Sequence, residues 1–479
     1  RVAAEIVRVA NNAQAQEDEA ARIAAEAARA GFYGGFSSQL AAIDTAFEAA
    51  AANLTQDSEV IIARDGEDSL GINIGKIKTE AAKKANYRQQ AGEVGQEDKV
   101  NMIAGYIGNK VAENLYCCTI AGGGSLNMEN VIGGNTANVD TGVSNAEPMD
   151  LTTQAEYSTI LGGYDNVANG LASFIASFHS FISNLATHGT ISGGSRHKIQ
   201  SGDYNTIAGG TLNDIPSGSF VTVSGGTTNK ASANSAVVAG GSINEASGNS
   251  SVVSGGGNNK ATGVTSVVCG GSNNLASGAA SFAAGGYDNI ASGAYASIPG
   301  GANNRATNEY ATALGGRYNE ANEKYSIASG FYAVARMLGQ KAHAYGKFVT
   351  AGDAQAGEYM LKNLTTNATA TIIGLNGTLG IQMPQNSSWK FKYEVIARRV
   401  GGDGESKSWE IKGQARNNVG QSIVIDPTPE IKIIGSSAGT ETWDCQLLPG
   451  ADSLNIRGYG ELDKTIYWVA KLETVEVIA

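Results

Sequence analysis

Pairs of glycine recur through the middle of this chain at a nearly constant interval. They begin at Gly193, Gly209, Gly225, Gly240, Gly255, Gly270, Gly285, Gly300 and Gly315, so the spacing is 16 twice and then 15 six times. A fixed period of this length marks a stack of like supersecondary units, and it constrains the fold before any local motif is weighed. One unit reads SVVCGGSNNLASG over 266–278 and the next SFAAGGYDNIASG over 281–293. An amide recurs at Asn213, Asn229, Asn244, Asn259, Asn274, Asn289, Asn304 and Asn319. Two residues before each pair stands an apolar or small residue, from Ile207, Val223 and Val238 to Ile298 and Ala313. After the pairs comes a second set, Ala231, Ala246, Ala261, Ala276, Ala291, Ala306 and Ala321. Worn copies extend upstream to Gly123, Gly133 and Gly162, with an interruption over 139–157. The copy over 178–189 has lost its Gly pair, and Asn184 takes the place of its Asn. Ser329-Gly330 and Tyr345-Gly346 close the series.

Each unit reads as short strand, turn, short strand, turn. Gly supplies positive φ at the turns, and Asn tolerates the left-handed region while bonding nearby backbone, so a stacked Asn ladder is expected. Coils at about 4.8 Å per layer, some fourteen of them, predict a rod on the order of 65–70 Å long. A fifteen-residue coil encloses only a few small side chains. At about 25 cal/mol per Å² of apolar area, such layers do not offset the ordering of a thin ribbon standing alone. The missing burial is expected from identical neighbours, and three-fold packing closes such an arrangement.

The S-x-V-x-G-G-x-x-N-x-A-S-G unit resembles the head repeats of trimeric autotransporter adhesins over roughly residues 118–346. The resemblance implies a left-handed parallel β-roll with three chains to a rod.

The flanks differ in composition. Residues 1–30 are rich in Ala, Glu, Arg and Gln and contain neither Gly nor Pro. Val2, Ile6, Val9, Ala13, Gln16, Ala20, Ile23, Ala27 and Ala30 step by four and three, which predicts a helical seam. A short parallel coiled coil of identical chains fits it, and a surface helix packed on its own chain is the alternative. A second helical stretch runs near Leu40–Leu54, a strand near Glu59–Ala63 and a charged helix near Lys78–Gln90. All four Trp lie beyond Lys347, among many short alternating segments such as Trp389–Ala397 and Ser408–Ala415. That pattern predicts an antiparallel sandwich or jelly roll. The blocks GDAQAGEYML (352–361), NSSWKF (386–391), Ala397-Arg398-Arg399, ESKSWEIKG (405–413) and KTIYWVAKLETVEV (464–477) resemble a domain that ends many phage tail-fibre and tail-associated proteins.

The fold expected is therefore mainly β: a trimeric left-handed parallel β-roll shaft (a solenoid) with an N-terminal helical, coiled-coil segment and a C-terminal antiparallel β-sandwich knob. The divisions expected are 1–55 for attachment, 56–117 as a mixed connector, 118–346 as the shaft and 347–479 as a receptor-binding knob. Together the resemblances imply a structural homotrimer in the virion, a tail fibre attaching the phage to its host without catalysis. Its partners would be phage tail or baseplate proteins at the N-terminal region and a bacterial surface polysaccharide or protein receptor at the knob. A bacterial trimeric surface adhesin and a polysaccharide-degrading tail fibre are the alternatives.

Chemistry-bearing motifs are sparse. The net charge of −11 disfavours a non-specific nucleic-acid binder. No apolar run of about 20 residues is present to insert in a membrane. Four Cys make no disulfide framework, and Cys269 reads as a small filler of its coil. No metal or cofactor motif occurs, so neither is expected; His179, His188 and His197, nine apart, read as polar filling of worn coils. The acids Asp288, Glu309, Glu320 and Glu323 are scattered through the repeats, and one sequence selects no catalytic pair among them. The receptor-binding residues are not fixed by the sequence; Arg398 and Arg399, for anionic sugar, and Trp409 and Trp443, for stacking on sugar rings, are the candidates.

Overall fold

A computed structural model describes the strands Glu59–Arg64, Glu67–Asn73 and Tyr87–Gln90, most of 101–133, and all of 155–479. The predicted helices over 1–30 and 40–54 lie outside the described residues. The chain divides into two units, 1–85 and 86–479. In the first, Glu59–Arg64 pairs antiparallel with Glu67–Asn73, as the strand expected near Glu59 requires. The charged helix expected near Lys78–Gln90 is corrected where it is described: Tyr87–Gln90 is a strand, antiparallel to Asn101–Ala104.

The second unit opens with the repeat, which folds as a parallel β-solenoid. Two-residue strands stack into two sheets, one of them fourteen strands deep. Successive coils pair in register, for example Val252 with Val267 and Ala246 with Ala261. The second residue of each strand points inward and is fully buried. One sheet contributes Ile191, Ile207, Val223, Val238, Val253 and Val268, and the other Ile199, Ile215, Ala231, Ala246, Ala261 and Ala276. The filling thins along the rod. Sixteen-residue coils enclose Ile against Ile, whereas the last coils, from Ala306 to Ala344, enclose almost only Ala.

The ladder of Asn predicted from the repeat runs up one inner corner. Asn274 receives the backbone N–H of Asn289 on Oδ1 at 3.1 Å and donates from Nδ2 to the Gly270 and Gly286 carbonyls at 2.9 and 3.1 Å. Each Asn thus closes its own turn and bonds the next. In the worn coil Ser180, not Asn184, occupies the rung, with its backbone N–H on Asn166 Oδ1 at 3.1 Å. Asn184 lies in the turn after the following strand, Phe181–Ile182, which stays in register with its neighbours.

The second glycine of each pair is required by contact as well as by φ. At Gly286 φ is +86°, and a Cβ would lie 1.9 Å from the Gly301 carbonyl oxygen of the next coil.

His197 fills an Asn rung. Its Nδ1 accepts the backbone N–H of Asn213 at 3.2 Å, as Oδ1 does elsewhere. Its Nε2 faces the Gly193 and Gly210 carbonyls without reaching hydrogen-bond geometry. Burial holds this imidazole below its ordinary value of 6.5. The unfolded chain therefore takes up a proton that the folded rung refuses, and stability falls as pH drops below about 6.5. His197→Asn is expected to raise the melting temperature more at pH 5 than at pH 8. Calorimetry at the two values checks this, and an equal shift at both would refute the role assigned to the ring.

The shaft does not stop where its period fades. Ile327–Phe331 pairs parallel with Lys341–Tyr345, which pairs antiparallel with Ala354–Thr365, so the sheet runs on into the terminal domain. There Ala354–Thr365, Ile466–Ile478, Ser387–Arg399, Ser406–Asn417 and Glu430–Ser436 form one antiparallel sheet in that spatial order. A smaller sheet, with Ser453–Tyr459 flanked by Asp444–Pro449 on one edge and by Thr371–Ile373 and Ile381–Gln382 on the other, completes a two-layer antiparallel body. Trp389, Tyr393, Trp409 and Trp468 of the large sheet meet Ile373, Leu454 and Ile456 of the small one in a shared core. Gly458 permits the close approach: a Cβ there would be 2.6 Å from the Trp468 ring.

Candidate functional site

The first residue of each shaft strand points outward, and the two sheets differ sharply in what they show. On one, the outward column reads Thr190, Thr206, Thr222, Val237, Val252, Val267, Phe282, Ser297, Thr312 and Ile327. The column beside it reads Ser192, Ala208, Ser224, Ala239, Ser254, Cys269, Ala284, Pro299 and Leu314. Neither column holds a charge over ten coils. Cys269 belongs here and is exposed, so it is a surface residue and not the filler expected.

The other sheet shows Lys198, Asp214, Lys230, Glu245 and Lys260 in strict alternation of sign on consecutive coils. Opposite charges directly across parallel strands support each other, and Lys260 reaches Glu245 at 3.5 Å. One side of the rod is thus dressed for water, while the other carries small, uncharged and apolar groups.

The sheet that bears the uncharged side continues, through Ile327 and Lys341, into the open face of the terminal sheet, where charge returns. Register places Lys341, Glu358, Glu473, Lys392, Lys412 and Glu430 side by side across six strands. Lys341 binds Glu358 at 2.7 Å, and Glu410 of the next row takes Lys412 at 2.6 Å and Lys392 at 3.1 Å. The Lys341 and Lys412 ammoniums hold the Glu358 and Glu410 carboxyls below the usual range, so both are ionised at neutral pH. Apolar side chains flank these rows, with Met360, Ile396 and Val469 on one side and Val475 and Val477 on the other. A cleft of about 1220 Å³ lies in the angle between this face and the last coils, with Leu314, Ile327, Lys392 and Pro427 among its walls.

The residues picked from the sequence are scattered. Trp409 is 2% and Trp443 1% exposed, so neither is placed to stack on a sugar. Trp409 stacks on Trp468 at 5.5 Å instead, and Lys407 lies beneath it, bonding the Trp443 carbonyl at 2.7 Å. Arg399 is tied to Glu405 at 2.9 Å. Arg398 is exposed on the open face.

The three histidines sit at different places in their coils. His179 binds Asp165 at 2.8 Å, His188 stacks on Tyr204 at 4.5 Å, and His197 is a rung of the inner ladder. Among the described residues no group of three or more His, Cys, Asp or Glu is arranged to hold a metal ion. Of the scattered acids, Glu309 pairs with Lys324 at 2.9 Å, whereas Asp288 and Glu320 line one groove on the charged side. A Tyr standing where neighbouring units have Asn was the available sequence signal for that groove.

No family model matches the chain, and no curated protein matches its sequence. Among solved structures it is similar to the tailspike gp49 of Acinetobacter baumannii bacteriophage Fri1, a capsular polysaccharide depolymerase, at 8% identity and a TM-score of 0.19 over 77% of this chain and 80% of that one. It is likewise similar to the tailspike of Acinetobacter phage vB_ApiP_P1, at 9% identity and a TM-score of 0.22 over 75% of this chain and 69% of that one. The tailspike of Acinetobacter baumannii phage AM24 follows, at 7% and 0.19, over 74% of this chain and 63% of that one. Values this low carry no assignment of residues or substrate. The expectation of no catalysis is withdrawn, because a capsular polysaccharide depolymerase is among these neighbours.

Proposed function

We propose that the chain is a subunit of a homotrimeric phage tail fibre or spike that attaches the virion to bacterial surface polysaccharide. The observation that carries the reading is the uncharged side of the shaft, continuous over ten coils and opposite a side that bears charge on all of them but the Leu275 and Ile290 coils and the last. A soluble rod has no use for such a side unless other rods cover it. Two further copies fit it best, since the face is regular, small-residued and free of charge to bury. The domain resemblance at 352–477 supports the phage setting, and the N-terminal region would join the tail. Threefold display makes weak glycan contacts effective together.

Light scattering on the full chain is expected to give about three times 49.2 kDa. Incubation with purified capsular and O-antigen polysaccharides is expected to show retention of at least one. A monomer that retains none defeats the proposal. The reading covers attachment whether or not the bound polymer is then cut, and released oligosaccharide would add cleavage to it.

A further inference from the structure

We propose that a groove on the charged side of the last coils is a binding site for an extended run of neutral sugar units; the inference rests on the attachment reading above. The residue before each rung of the inner ladder, and before Ala333 at its end, sits at an outer corner with positive φ. Along the rod this corner reads Thr228, Ile243, Asn258, Asn273, Asp288, Asn303, Tyr318 and Tyr332, with φ between 52° and 67°. Asn and Asp enter that region readily, while Tyr pays about 1–2 kcal/mol to be there. All positions of this corner share that backbone region, Thr228 and Ile243 included, so what sets the last coils apart is two aromatic rings in succession at one corner.

Their surroundings say what use. Tyr318 and Tyr332 stack at 4.8 Å with their planes 6° apart. Lys347 lies over the Tyr332 ring at 4.4 Å, and Arg317 donates to the Tyr318 hydroxyl at 3.2 Å. Beside them opens a groove of about 430 Å³, walled by the two rings together with Asp288, Asn303, Arg305 and Glu320. That volume is within the range of small-ligand sites. Amide, carboxylate and guanidinium groups are the planar, two-pronged partners that adjacent sugar hydroxyls accept, and the two stacked rings wall the groove beside them. The coils bring these groups up at about 4.8 Å per layer, close to the length of one sugar residue in an extended chain. Arg305, Arg317 and Lys347 stand with Asp288 and Glu320 in and beside the groove, a near balance of charge that suits a neutral polymer better than a uronate-rich one.

The test uses the full-length assembled protein on immobilised neutral, amino-sugar-containing and uronate-rich bacterial polysaccharides. Tyr318→Asn and Tyr332→Asn restore the residue type that neighbouring corners already use, so both should melt no lower than the parent. Each is expected to weaken binding to the neutral or amino-sugar polymers about tenfold or more. Glu320→Gln, which keeps shape and removes charge, should weaken it as well and stands in if a Tyr variant fails to fold. Unchanged affinity in all three variants, or retention of uronate-rich polymers alone, overturns the groove while leaving attachment intact. A parent protein that retains no polysaccharide at all overturns both.

Discussion

Replacing Asn289 with Ala is expected to lower the melting temperature of the assembled protein more than any outward-facing substitution on the shaft. The side chain donates to the carbonyls of Gly285 and Gly301 at 2.8 and 2.9 Å and accepts the backbone N–H of Asn304 at 3.0 Å. The bond from Asn304 is out of reach of water, since Asn289 is fully buried, whereas the two carbonyls lie in a half-buried turn. Alanine leaves the Asn304 N–H and the Gly285 carbonyl without the side chain that served them. At about 1–3 kcal/mol for the buried N–H left unserved, with a smaller share from the half-buried carbonyl, the loss is roughly 2–4 kcal/mol per chain. Nearest-neighbour stacking lets the defect divide the shaft into two weakly coupled halves. Thermal melting with limited proteolysis is the measurement: cleavage should begin near the altered rung. A variant as heat-stable and protease-resistant as the parent would show that the ladder is ornamental.

The second large effect is on assembly. Val252→Glu places a carboxylate in the middle of the uncharged side, where the parent side chain is only half-buried in a single chain. A lone rod tolerates the change, because the new group simply meets water. A rod whose neighbours cover that side must bury three like charges together, and the subunits are expected to separate. Leu275→Glu is the matched control: it introduces the same group on the charged side, directly across from Lys260. Sedimentation or light scattering should give the trimer mass for the control and a smaller species for Val252→Glu. Equal masses for both would mean that the uncharged side is not where copies meet.

The shaft was legible in the sequence because its physics repeats. A coil that must close in fifteen residues needs glycine at the turn, an amide at the inner corner and a small residue facing in, so period, spacing and side-chain size all carry one message. Reading failed where a coil departed from the pattern. Ser180 serves as a rung because its Oγ accepts the backbone N–H of His197 at 3.2 Å, as an Asn Oδ1 does elsewhere, a relation between coils that spacing alone does not display. His197 was invisible as a rung for the same reason: its ring imitates an amide in hydrogen bonding, not in composition. In the terminal domain the strands were readable from alternation, but alternation does not say which face is covered. Trp409 and Trp443 therefore looked available for sugar, whereas the smaller sheet seals Trp409 from above and Trp443 belongs to the same core. Tyr318 and Tyr332 went unmarked because tyrosine is ordinary in composition; the sign on offer was its standing at corners where neighbouring units carry Asn or Asp.

The passage from the last coil into the terminal domain has a consequence for the molecule's solubility. A parallel stack is an open-ended template: its final strand offers unpaired backbone groups that a first strand of another molecule could accept, and so on without limit. Here the final parallel strand, Lys341–Tyr345, is taken by Ala354–Thr365 running the opposite way. That reversal ends the template with a partner that cannot be copied onward. The knob is in this sense a stopper, and a protein built from self-matching layers keeps a finite length because its last layer is matched to something else.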